Sequence, residues 1–163
     1  MPSKPYRITC VCTGNICRSP MAERVLERAL DEAGLAERVI VDSAGTMGWH
    51  AGDGAHVNTI TILGEAGYRS HGHRAQQLSE ELFSSADLIL LMDRGHRQDL
   101  RSVGFADGPE VRLWRSFDPI ARASGQLDVP DPWGHEEPTY RETLAMLEAG
   151  LPELVEFIRD QVA

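Results

Sequence analysis

The stretch that decides the fold of this chain is Cys12-Thr13-Gly14-Asn15-Ile16-Cys17-Arg18-Ser19-Pro20. It follows a short apolar run at 8–11, and it leads into apolar residues at helical spacing between 21 and 33. Pro20 suits the first turn of that helix, where a backbone N–H needs no partner. The stretch is therefore predicted to turn from a buried strand into a helix, so that backbone N–H groups and the positive helix end face one small volume. Such a volume binds anions.

Two reactive side chains lie in this turn, the thiol of Cys12 and the guanidinium of Arg18, with five residues between them. A thiol that faces a helix N-terminus and an arginine is expected to be largely thiolate at neutral pH. Cys12 is therefore predicted to be a nucleophile toward phosphorus, and Arg18 to bind two phosphoryl oxygens. Gly14 lets the backbone approach the anion, Asn15 tolerates positive φ, and Ser19 can donate its hydroxyl to the sulfur.

The run from 12 to 23 resembles the signature of the low-molecular-weight protein tyrosine phosphatases of bacterial type, which have Cys-x5-Arg-Ser/Thr near the N-terminus. The resemblance implies hydrolysis of phosphotyrosine through a phospho-cysteine intermediate, with no cofactor and no metal. It makes Cys12 the nucleophile, and it gives the phosphate-binding loop as Thr13, Gly14, Asn15, Ile16, Cys17, Arg18 and Ser19. The alternative is a buried structural cysteine beside a surface arginine, which the full run and its strand-to-helix setting disfavour.

Length and composition indicate one domain covering residues 1–163. Apolar residues make up 42% of the chain, and no apolar run approaches the roughly 18 residues that a membrane span needs. The N-terminal residues lack an apolar signal core, so we expect a cytoplasmic protein, although export without a signal stays open. Three cysteines, an odd number, argue against a disulfide framework, and the net charge of −9 disfavours nucleic acid or a membrane as partner. The expected partners are phosphotyrosine-containing proteins, and the expected state is a monomer.

Four short apolar runs predict strands, and helical patterns separate them. The runs lie at 6–11, 39–41, 88–92 and 111–114. Strand–helix–strand units imply parallel neighbours, so we predict a flavodoxin-like α/β fold, a four-stranded parallel sheet with helices on both faces. Cys12, Ser43 and Asp93 fall at the carboxyl ends of strands, where such sheets bind ligands. The region 115–137 has loop composition, and the helix after it is expected to be kinked at Leu151-Pro152.

The family resemblance assigns further residues around the loop. It implies that Ser43 supports Asn15 and that His73 hydrogen-bonds the catalytic loop. Asp93 is expected to lie beside them because it follows a predicted strand. It also implies that Trp49 is an aromatic wall of the pocket. From the residues alone, Trp49 is either a packed cover or a ligand wall, and a histidine such as His73 is more often a solvated loop residue.

Cleavage of an aryl phosphate needs a proton donor opposite the attacking sulfur. Two Asp-Pro pairs supply candidates, Asp118 and Asp131. The family places its acid in an Asp-Pro-Tyr motif shortly before the final helix, which assigns the role to Asp131 and leaves Asp118 as a turn residue. Burial and the phosphate charge are expected to keep Asp131 protonated. This chain has Trp133 in place of the motif's tyrosine, followed by Gly134, so an aromatic wall is kept and tyrosine-based regulation there is lost.

Four other functions compete with this one. Thioredoxin-coupled arsenate reductases share the fold but need downstream cysteines for thiol exchange, and no cysteine follows Cys17. Sugar-phosphotransfer proteins carry a similar loop and do not need Arg18. Protein-arginine phosphatases resemble the chain closely but typically have threonine at the position of Ile16, whose apolar side chain is expected to be a substrate wall that favours a phenyl ring. A non-catalytic phosphotyrosine-binding module would lose the cysteine or the acid, and both are present.

The remaining cysteines suggest redox chemistry rather than metal binding. Cys10, Cys12 and Cys17 are not spaced like a zinc site, and Cys10 is expected to be a small core residue. Cys17 follows Cys12 around a tightly curled loop, and we hypothesise that peroxide joins the two sulfurs reversibly and protects Cys12 from over-oxidation. The alternative is that Cys17 only packs beneath the loop.

Overall fold

Four strands form one parallel sheet in the computed structural model, which describes residues 4–105 and 108–163. They are β1 (Tyr6–Cys12), β2 (Val39–Gly45), β3 (Leu88–Leu91) and β4 (Glu110–Leu113), in the order β2-β1-β3-β4. The register of the central strand sets Cys10 beside Ser43 and Leu90. The predicted α/β fold with a four-stranded parallel sheet is confirmed, and β2 continues past its apolar run to Gly45.

Helices cover both faces of this sheet. They are α1 (Arg18–Glu32), α2 (Val57–Glu65), α3 (Glu80–Ser85), α4 (Arg94–Ser102), α5 (Pro119–Ser124) and α6 (Glu137–Val162). Side chains alternate along β1, so Ile8 and Cys10 share a core with α1, α2 and α6, whereas Val11 shares a core with α3 and α4. Every residue of β3 is buried, as expected for a strand covered on both faces.

Polar caps fix where the helices near the carboxyl edge of the sheet begin. Ser79 accepts a hydrogen bond from the Leu82 N–H and starts α3, and Asp93 accepts one from the His96 N–H and starts α4. Gly34, at a φ of 75°, follows the end of α1, as is common for a glycine just after a helix. Because α4 follows β3 almost directly, its cap holds Asp93 at the carboxyl edge of the sheet.

The prediction of a loop over 115–137 is wrong in its first part. A 3₁₀ helix, Trp114–Phe117, leads into α5. Asp118 is buried, and its Oδ1 accepts hydrogen bonds from the N–H groups of Ile120 and Ala121. Asp118 therefore caps α5, and a carboxylate engaged in this way is not available at the carboxyl edge of the sheet.

The last helix, α6, has 26 residues and contains Pro152. The kink expected at Leu151-Pro152 stays a prediction. None of the helices within 4–105 and 108–163 combines the length and the apolar character that crossing a bilayer requires.

Candidate active site

A pocket of about 180 Å³ opens at the carboxyl edge of the sheet, above the turn between β1 and α1. Its lining residues are Cys12, Thr13, Gly14, Ile16, Cys17, Arg18, Trp49, His50, Asp131 and Trp133. The fold thus brings together the residues expected to act in catalysis and those expected to form the walls of the pocket. The first are Cys12, Arg18 and Asp131, and the second are Ile16, Trp49 and Trp133. Trp49 and Trp133 lie at the rim and are 70% and 59% exposed, whereas Cys12 is 3% exposed.

The Cys12 sulfur receives a hydrogen bond from its own loop. Its Sγ lies 3.0 Å from Ser19 Oγ. Asn15 Nδ2 donates to the same Ser19 oxygen at 2.8 Å, so the hydroxyl hydrogen of Ser19 is left to point at the sulfur. Ser19 therefore lies where its hydroxyl can donate to the Cys12 sulfur.

The backbone of the loop presents a row of donors. Within the described residues, no backbone N–H from Thr13 to Arg18 donates a hydrogen bond to another protein group. The loop curls because Asn15 adopts a φ of 59°. It also packs closely on the end of β2, where a Cβ on Gly45 would lie 2.5 Å from Thr13 O. Unpaired N–H groups beside a helix N-terminus form an anion site.

Asn15 is the residue that holds this curl in place. Its Nδ2 donates to Ser43 Oγ at 3.0 Å, its Oδ1 accepts from the Gln76 N–H at 2.9 Å, and its carbonyl oxygen accepts from His73 Nε2 at 2.6 Å. Burial lowers the pKa of His73, so the ring is neutral with its hydrogen on Nε2. Ser43 in turn donates to Glu23 Oε1 at 2.7 Å, and burial raises the pKa of Glu23 to about 7. Ser43 and His73 therefore lie where the family resemblance placed them.

Arg18 is 2% exposed, and its guanidinium is held through Nη1 and Nη2. Nη1 donates to Asp93 Oδ2 at 2.7 Å and to the carbonyl oxygen of Val129 at 3.0 Å. Nη2 donates to Thr13 Oγ1 at 3.3 Å, and Nε has no partner among the described residues. The edge formed by Nε and Nη2 is therefore available to an anion, and this edge can bind two oxygens at once.

Asp131 lies at the mouth of the pocket. Its Oδ2 is 3.7 Å from Arg18 Nη2, and its Oδ1 accepts from the Trp133 N–H at 3.1 Å. The side chain is 53% exposed, so the burial expected for Asp131 from the sequence is not found.

Cys17 lines the same pocket but lies in a different environment from Cys12. Its Sγ is 3.5 Å from the hydroxyl oxygen of Tyr140 on α6, and burial raises the pKa of Cys17 to about 11. Cys10, Cys12 and Cys17 are all free thiols. Cys17 is therefore a neutral thiol, and the disulfide with Cys12 stays a prediction.

Several residues of the site were not predicted from the sequence. They are Glu23, His50, Gln76 and His96. Two of them had a signal. Glu23 belongs to the matching run at 12–23, and His96 occupies the third helical position after Asp93, where a side chain can bond back to the cap.

Known proteins resemble this chain in both sequence and fold. The family model described as low molecular weight phosphotyrosine protein phosphatase matches residues 7–163. A low molecular weight protein-tyrosine-phosphatase of Streptomyces coelicolor is 46% identical over 159 residues, which cover 96% of each chain. The crystal structure of YfkJ from Bacillus subtilis has a TM-score of 0.89 at 31% identity and covers 100% of both chains. A YwlE arginine phosphatase with a phosphorylated active-site serine has a TM-score of 0.82 at 32% identity, over 94% of this chain and 95% of that one.

Proposed function

The chain belongs to the low molecular weight phosphotyrosine protein phosphatase family and is a cysteine-dependent phosphatase, and on that premise we propose that Cys12, Arg18 and Asp131 hydrolyse phosphotyrosine in proteins. The Cys12 thiolate attacks phosphorus, the bond from phosphorus to the tyrosine oxygen breaks, and Asp131 protonates that oxygen. Water then attacks the phosphorus of phospho-cysteine while Asp131 takes a proton of that water. The phosphorus–sulfur bond breaks, so the Cys12 thiolate is restored and inorganic phosphate leaves.

The observation that carries this proposal is the set of unpaired donors beside the Cys12 sulfur. The backbone N–H groups from Thr13 to Arg18 and the Nε of Arg18 have no acceptor among the described residues. Arg18 Nε is buried, and buried donors are normally paired, so an unpaired one beside a row of free backbone N–H groups points to an anion. A phosphoryl group in transfer spreads negative charge over its equatorial oxygens, and these donors would bind that charge more strongly than the charge of the free ester.

Two observations support Asp131 as the acid: its position in the pocket, and the hydrogen bonds that occupy the other candidate, Asp118. Asp131 lines the pocket and is exposed at its mouth, while Asp118 is bound to backbone N–H groups at the start of α5. The Oδ2 of Asp131 is 3.7 Å from Arg18 Nη2, so the acid would lie beside the bound phosphoryl group.

Pocket depth supports phosphotyrosine over phosphoserine as the substrate. The sulfur of Cys12 lies at the floor, and Trp49 and Trp133 stand at the rim. A long flat side chain can carry phosphorus to the floor, and stacking on an aromatic rim adds about 0.5–1.5 kcal/mol per pair. Phosphoarginine is long enough as well, and the similar YwlE structure is named an arginine phosphatase.

Ile16 is expected to decide between phosphotyrosine and phosphoarginine. It is buried and lines the pocket, so it offers an apolar surface to a ring and no partner to a guanidinium. Ile16→Thr should raise kcat/KM on phosphoarginine relative to phosphotyrosine, and Ile16→Val is the matched control that keeps the apolar surface. If the ratio of kcat/KM on phosphoarginine to kcat/KM on phosphotyrosine is the same in Ile16→Thr and Ile16→Val, this role of Ile16 is contradicted.

The proposal is tested by turnover of p-nitrophenyl phosphate and of peptides that carry phosphotyrosine, phosphoserine or phosphoarginine. We expect the highest kcat/KM on phosphotyrosine and no turnover by Cys12→Ser. Cys10→Ala, which removes a thiol from the core of the sheet, should stay active. A wild-type enzyme that prefers phosphoserine or phosphoarginine would refute the substrate assignment. The monomeric state, the cytoplasmic location and the lack of nucleic-acid binding also stay predictions. Sedimentation tests the first, and cell fractionation tests the second.

A further inference from the structure

One buried imidazole connects the two side-chain anchors of the Arg18 guanidinium. Asp93 accepts from Arg18 Nη1 at 2.7 Å, and Thr13 accepts from Arg18 Nη2 at 3.3 Å. His96 contacts both anchors. Its backbone N–H donates to Asp93 Oδ1 at 3.2 Å, and its Nε2 lies 3.0 Å from Thr13 Oγ1. The anchors come from different elements, since Thr13 follows β1 and Asp93 follows β3.

The direction of these hydrogen bonds follows from the donors. The backbone N–H of Asp93 points at His96 Nδ1 at 3.1 Å, and an N–H can only donate, so Nδ1 is the acceptor. The neutral ring then carries its hydrogen on Nε2 and donates it to the Thr13 hydroxyl. His96 is 1% exposed, and burial lowers its pKa to about 4, so this neutral form persists over the ordinary working range of pH.

We propose that His96 is a positioning residue for phosphoryl transfer, which sets the plane of the Arg18 guanidinium by fixing Thr13 and Asp93 relative to each other. The proposal rests on the proposed function, in which the free edge of Arg18 binds two phosphoryl oxygens. The two anchors hold Nη1 and Nη2 in the plane, and they leave Nε and one Nη2 hydrogen directed at the anion. Bidentate binding depends on that orientation, so an anchor that rotates weakens binding in the transition state more than in the ground state.

Two substitutions at His96 separate positioning from a purely structural role. In His96→Gln the side-chain amide keeps a donor at about the place of Nε2, so it still reaches Thr13. In His96→Asn the shorter side chain keeps an acceptor at the place of Nδ1, so the α4 cap remains and the bond to Thr13 is lost. Thr13→Val removes the shared hydroxyl and keeps the branched shape. His71→Asn, at an exposed histidine, is the control for substitution itself.

The four single variants and the double variant of Thr13→Val with His96→Asn are compared by kcat and KM on p-nitrophenyl phosphate. We expect His96→Asn and Thr13→Val each to lower kcat roughly tenfold with little change in KM, and we expect His96→Gln to restore most of the loss. In the double variant kcat should again fall roughly tenfold rather than a hundredfold, because both substitutions break the same hydrogen bond between His96 and Thr13. Additive losses, or equal losses in His96→Gln and His96→Asn, would overturn the proposal.

Orthovanadate provides the same comparison without catalysis, because it takes up the five-coordinate geometry of the transition state. Its dissociation constant, measured by calorimetry on the same five variants, should rise non-additively in the same pattern as the loss of kcat. Cys12→Ser, assayed alongside, distinguishes the two proposals. Loss of turnover in Cys12→Ser together with additive effects at Thr13 and His96 would refute the positioning role alone. A wild-type protein without turnover would refute the proposed function, and the orthovanadate measurement would still decide the role of His96.

Discussion

Replacing Asn15 by alanine is expected to destabilise the catalytic loop and the whole protein. Asn15 is buried at a φ of 59°, and its side chain bonds to Ser19, Ser43 and the Gln76 N–H. Each of these hydrogen bonds contributes about 1 kcal/mol, and an alanine at positive φ costs about 1 kcal/mol more. The free energy of unfolding should therefore fall by roughly 4 kcal/mol.

Asn15→Gly is the matched variant, because it loses the same hydrogen bonds without the backbone strain. It should be more stable than Asn15→Ala by roughly 0.5–1 kcal/mol, and both should lose activity because the loop no longer holds its curl. Urea unfolding followed by tryptophan fluorescence measures both free energies. A loss below about 1.5 kcal/mol in the alanine variant, well under the sum expected from its bonds, would refute the reasoning. So would an alanine variant that is more stable than the glycine variant.

Three further predictions concern the acid, the second loop cysteine and a buried carboxyl. Asp131→Asn should lower kcat by roughly 10²–10⁴ on poor leaving groups, and a kcat on phosphotyrosine equal to that of the wild type would move the acid role elsewhere. After peroxide and then thiol reduction, the wild type should regain more activity than Cys17→Ser, and equal recovery would count against a protective bond to Cys12. Burial raises the pKa of Glu23 from 4.5 to about 7, so the folded state keeps a proton that the unfolded state loses, and stability should fall as pH rises through that interval. Glu23→Gln should remove this fall in urea titrations at either end of the interval, and an unchanged pH dependence would exclude Glu23 as its source.

The parts of the site that could be predicted from sequence are those set by local pattern or by strand ends. The apolar runs before Cys12 and Asp93 predicted buried strands, and the carboxyl edge of the sheet gathered both residues without any knowledge of their contacts. Asn15 is one of the few non-glycine residues that tolerate positive φ, and it adopts a φ of 59° here.

Other parts depended on contacts that no local pattern encodes. The helix α5 has six residues, too few to show a period, and its Asp118-Pro119 start looks like a turn. The bond between Thr13 and His96 joins residues 83 positions apart, so only the folded chain reveals it. The exposure of Asp131 is likewise a property of the assembled pocket mouth, and an Asp-Pro pair gives no sign of it.

The central claim is that Cys12 carries the phosphoryl group between the substrate and water. Rapid quenching after mixing with radiolabelled p-nitrophenyl phosphate, followed by proteolysis and mass spectrometry, locates the label on the protein. We expect the label on the peptide that contains Cys12, more of it in Asp131→Asn because water attack is slowed, and none in Cys12→Ala, which has no nucleophile at this position. Turnover by Cys12→Ser at the wild-type rate, or label on a different residue, would contradict the account.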